Sequence, residues 1–81
     1  MTEQPSFHDD LTMWTIYQAP KDFPDGFVVR PWTLTRGGGG PVPGMAFTAR
    51  TLEDARANVP PGLYRQERAP EDDHTIVETW L

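Results

Sequence analysis

Pro24-Asp25-Gly26-Phe27-Val28-Val29-Arg30-Pro31-Trp32-Thr33-Leu34-Thr35 is the stretch on which the fold of this chain turns. An Asp-Gly turn signal opens it and four glycines, Gly37 to Gly40, follow its end. Between them stand β-branched and aromatic residues, the types that suit a pleated, partly buried surface. The run therefore reads as the organising strand. Phe27 and Val29 share one face, and Val28, Arg30, Trp32 and Leu34 share the other. Pro31 has no N–H to give a ladder, so it marks a bulge or an unpaired edge position. A switch of face at Pro31 would gather Phe27, Val29, Trp32 and Leu34 inside.

Other segments fall into place around this strand. Leu11 to Gln18 reads as a first strand with Trp14 and Ile16 on one face and Met13, Thr15 and Tyr17 on the other; either face could go inward, and that of Trp14 and Ile16 is favoured. Ala19 to Gly26 is a connection broken by two prolines, with Phe23 anchoring it to the core edge. Arg36 to Gly44 is the one low-complexity segment: a mobile glycine tip, then Pro-Val-Pro on an extended path. Met45 to Arg50 is a short strand. Thr51-Leu52-Glu53-Asp54 opens a helix, with Thr51 as cap and Asp54 three residues on. Leu52, Ala55 and Val59 form its apolar stripe, and Pro60-Pro61-Gly62 stops it. Gly62 to Arg68 and Thr75 to Leu81 then read as a hairpin of two strands joined by a polar turn.

The chain has 81 residues, so it is one domain, with residues 1–10 as a frayed leader and 11–81 as the folded part. It has no cysteine, so no disulfide or thiolate-held zinc staples it. Nine aromatic residues must carry much of the burial. The net charge of −5 counts against nucleic acid and against an anionic membrane surface as partners. No run is apolar enough for a membrane span, and the absence of cysteine and of a signal segment together favour the cytoplasm of a bacterium.

Chemistry-bearing residues are sparse. His8-Asp9-Asp10 and Asp72-Asp73-His74 mirror each other and would supply imidazoles and carboxylates to a metal if they met. Aspartate in turns has a simpler use, and neither segment has helical His spacing. Six of the seven basic residues are arginine, and Arg30 and Arg65 come from strands where they can face an anion. The glycine run lacks a Lys-Ser/Thr ending and is no phosphate cradle. The only serine is Ser6, and no nucleophile sits beside either histidine. Three tryptophans are many for so small a core, and one left exposed would mark a partner surface.

The strings Trp14-Thr15-Ile16-Tyr17, Pro24-Asp25-Gly26-Phe27-Val28-Val29-Arg30 and Ile76-Val77-Glu78-Thr79-Trp80-Leu81 resemble a group of short uncharacterised bacterial proteins. The resemblance spans most of residues 13–81 and implies no activity, cofactor or site residue. The expected fold is α+β: an antiparallel sheet of four to five strands with one short helix packed on one face. The expected function is that of a small soluble, non-enzymatic interaction module. It binds a protein partner or itself through a sheet face or edge, with Arg30, Trp32, Arg65 and Trp80 as binding residues. It takes no cofactor or metal. The alternative is a small-molecule or anion binder that uses the sheet arginines.

Overall fold

A computed structural model describes residues 10–21, 23–35, 37, 39–69 and 73–81, with residue 10 by its backbone alone. The elements run β1 (Asp10–Gln18), β2 (Phe27–Thr35), β3 (Val42–Pro43), β4 (Phe47–Ala49), α1 (Leu52–Ala57), β5 (Arg65–Glu67) and β6 (Ile76–Trp80). Among the described residues six strands form one sheet in the order β3-β2-β1-β6-β5, with β4 also on β2. All the pairings are antiparallel. The class is therefore α+β, with a larger sheet than the four to five strands expected. The added strand is β3: the extended Pro-Val-Pro path runs beside β2 closely enough for Val42 and Pro43 to pair with Thr33 and Trp32.

The expected change of face at Pro31 does not occur. The β1–β2 register runs unbroken from Gln18↔Phe27 to Asp10↔Thr35, with Trp14 opposite Pro31. Pro31 is tolerated because its backbone faces the other way. Its carbonyl accepts from the Gly44 N–H at 2.8 Å, on the side away from β1. In an extended strand a residue's N–H and C=O point to the same side, so the missing donor also falls there. That side is a gap in the ladder. Gly44, Met45 and Ala46 stand opposite only Arg30 and Pro31, so β3 and β4 form one edge strand kinked by a single extra residue. Gly44 has to lack a side chain, since a Cβ would lie 2.9 Å from Pro31 Cγ.

A second irregularity lies between β1 and β6. Ile16 pairs with Glu78 but Tyr17 pairs with Ile76, so Val77 is the extra residue. It packs against the core instead of facing away with Ile76. The core lies on the face of Trp14 and Ile16, as their strand pattern suggests. Ile16, Val29 and Ala55 are fully buried, with Trp14, Phe27, Leu52, Val59 and Trp80 packed around them.

The helix covers that face. Thr51 Oγ1 accepts from the Asp54 N–H at 3.0 Å, and Glu53 and Asp54 occupy the positive first turn. At six residues it is too short to stand alone, and the burial of Ala55 holds it down. Asp10 opens β1, while the rest of the expected leader lies outside the described residues, as do Arg36 and Gly38 of the glycine segment.

Candidate functional site

The register sorts the four expected binding residues into two pairs. Arg30 and Trp32 occupy the face opposite the helix, beside Thr15 and Met13. Trp80 and Arg65 are paired with each other on the helix face. Arg30 and Arg65 therefore point to opposite sides of the sheet and do not converge.

On the helix face, Arg65 and Trp80 belong to a network around one buried carboxylate. Glu78 is 1 % exposed. Arg56, from the last turn of α1, donates through Nε to Oε2 at 2.8 Å and through Nη2 to Oε1 at 2.9 Å. The Trp80 indole N–H donates to Oε2 at 2.8 Å. Arg65 Nη1 stands 3.7 Å from Oε1. The Arg56 hydrogen bonds hold the Glu78 carboxyl below its ordinary range, against the upward push of burial. The same contact raises the Arg56 guanidinium. Each carboxylate oxygen accepts a hydrogen bond from Arg56, so the cluster ties α1 to β6. The sequence reading did not single out Glu78. A lone acid in a strand otherwise made of Ile, Val, Thr and Trp was the available signal.

The opposite face has no described element over it. Its positions fall into rows running across the strands. One row joins Tyr17, Val28, Thr48 and Ile76. The next, Thr15, Arg30, Thr79 and Gln66, is polar. A third begins with Met13, Trp32 and Pro43. Tyr64 and Leu81 extend it, because they exchange both backbone hydrogen bonds, at 3.0 and 3.1 Å, one step beyond Arg65↔Trp80. Leu11 and Leu34 form the last row. The final two rows make an apolar band across the sheet, in which Tyr64 is 78 %, Leu11 50 % and Leu81 39 % exposed. Met13, Trp32 and Leu34 are half-buried within it.

Arg30 is the one charged residue in these four rows. Its Nη1 donates to the Gly44 carbonyl at 2.7 Å, pinning the kink of the edge strand. Among the described residues it has no carboxylate partner. It also borders a cleft of about 300 Å³, with Tyr17, Val28 and Thr48 as floor and Pro20 and Phe23 as wall.

The mirrored His and Asp segments do not start from the same end of the sheet. Asp10 opens β1, whereas Thr75 binds the Gln18 N–H at the other end of that strand, about 25 Å away at the usual rise. His8, Asp9 and Asp72 lie outside the described residues. Asp73 Oδ1 accepts from both the backbone N–H and the hydroxyl of Thr75, at 2.9 Å each. The bond from the Thr75 backbone is the main cause that lowers its pKa. Asp73 thus serves the turn that starts β6. No known family, curated protein or solved structure matches the chain.

Proposed function

We propose that this domain is a non-enzymatic interaction module that docks a protein, a partner or a second copy, through the open face of its sheet. The observation that carries the reading is the apolar band. Tyr64, Leu81, Met13, Trp32, Leu11 and Leu34 lie side by side with no charged side chain among them, in a chain of net charge −5. Tryptophan and tyrosine in such a setting are the usual anchors of protein interfaces. Of the two expected routes, face or edge, the face is favoured. One edge is the three-residue, charged β5, and the other carries Pro43 and a kink. Short, charged or proline-bearing edges resist strand addition.

Among the described residues no helix is long and apolar enough to cross a membrane. We place the module in the cytoplasm on its cysteine-free composition, and in bacteria on the resemblance of its strand sequences. The test is affinity capture by the intact chain beside its Trp32→Glu variant. A partner held by both equally would remove the face from the account.

A second reading, binding of a small anion, rests on Arg30 at its cleft without a described carboxylate partner. Arg65 has no part in it. Ligand-induced thermal shifts that survive Arg30→Ala would dispose of it.

A further inference from the structure

We infer that the occupant of the open face is a second copy of this chain, stacked sheet on sheet about a two-fold axis running along β1. This rests on the docking reading and names its partner. Three observations carry it.

The first is the one-sided core. Among the described residues only Ile16, Val29 and Ala55 are fully buried apolar residues, all on the helix face. A cysteine-free domain of this size has little stability in reserve. A cover needed at all times is best met by a molecule present at equal concentration, and a copy of the chain is that molecule.

The second is area. The fifteen positions of the four rows, each about 4.8 by 6.8 Å, span roughly 500 Å² per copy, or about 1,000 Å² in all, the least area at which a specific interface is expected.

The third is the pattern of the rows, which selects the axis. β1 is the central strand of the order β3-β2-β1-β6-β5. A two-fold along it places β2 over β6 of the copy and the β3 edge over β5. Trp32 then meets Leu81 of the copy, Pro43 meets Tyr64, and Met13 meets Met13. In the polar row Arg30 meets Thr79, an uncharged partner with an acceptor oxygen. The alternative in-plane axis, across the strands through the polar row, would set Arg30 on Arg30. Like charges buried face to face are unfavourable, so the axis along β1 prevails.

The experiment is light scattering of the full chain from micromolar to millimolar concentration, combined with cross-linking through a single introduced thiol. The chain has no cysteine, so Met13→Cys carries the only one. Stacked sheets lie about 10 Å apart, too far for a disulfide but within reach of a short bis-maleimide. The expected results are twice the chain mass, linked pairs from Met13→Cys, and none from Thr12→Cys, its neighbour on the helix face. Trp32→Glu should return single chains, and Leu11→Lys serves if that variant does not fold.

Single chains at every concentration would overturn the inference. An apolar dye bound by those single chains and released by Trp32→Glu would leave the docking reading standing, and no dye binding would end both. Dimers that link equally from Thr12→Cys would also overturn it, since another surface would then be in use.

Discussion

The two faces of this sheet are made from the same strands, residue by residue in alternation, yet they are finished differently. On one, Ile16 and Val29 lie under a helix, and a buried carboxylate is matched by guanidinium and indole donors. On the other, Tyr64, Leu11 and Leu81 are exposed and Met13, Trp32 and Leu34 half-buried, and the polar row through Arg30 and the buried Thr15 crosses the face. The contrast teaches that covering, not composition, separates core from surface here. Trp14 and Trp32, both half-buried, differ by the parity of their positions: Trp14 stacks on Phe47 beside the core, and Trp32 lies on the opposite face.

Substitutions can break or sharpen this contrast. Ile16→Ala, on the covered face, should cost about 4 kcal/mol by urea unfolding, as large-to-small changes in packed sites do. Leu34→Ala, read in dilute solution, should cost less than about 1 kcal/mol. Equal costs would mean that the open face is also packed within the single chain.

Glu78→Ala removes the partner of Arg56 and strands the Trp80 N–H, and should cost about 3 kcal/mol. The pH dependence carries the same message. The folded-state pKa of Glu78 is depressed, so its contribution is in place above the unfolded value of about 4.3. It is lost as pH falls through the folded value. Glu78→Gln should flatten that acid limb, and an unchanged limb would assign it to other carboxyls.

Gly26→Ala should cost about 2 kcal/mol, because its Cβ would lie 2.5 Å from both the Ala49 carbonyl and the Phe23 ring. Thr51→Ala should cost about 1 kcal/mol through the lost cap, read as a lower melting temperature.

Most of the architecture was legible in the sequence where a local rule acts. The strand from Phe27 to Thr35, the cap at Thr51 and the Leu52-Ala55-Val59 stripe are each specified by neighbours in sequence, and each stands where expected. What the sequence hid is set at long range. Pro31 looked like a break in alternation because the chain does not announce which side of a strand its backbone will face. Val77 joined the core through a one-residue slip against a strand sixty positions away. The apolar band escaped notice for the same reason. Tyr64 and Leu81 become neighbours of Met13 only once β5, β6 and β1 are side by side. Arg30 and Arg65, both read as strand arginines, were separated by parity counted across four strands, which no single segment contains.

The central strand also has a consequence for how the molecule comes into being. β1 gains its first neighbour, β2, after a short loop, but its other neighbour is β6, the last of these six strands to be made. Until then a nine-residue edge with Trp14 and Ile16 waits without a hydrogen-bonding mate, beside a hairpin that cannot yet be sealed. Closing so long a loop is slow, and an open strand edge invites the wrong neighbour. The most hazardous moment for this small protein is therefore its birth, when its eventual middle is still a border.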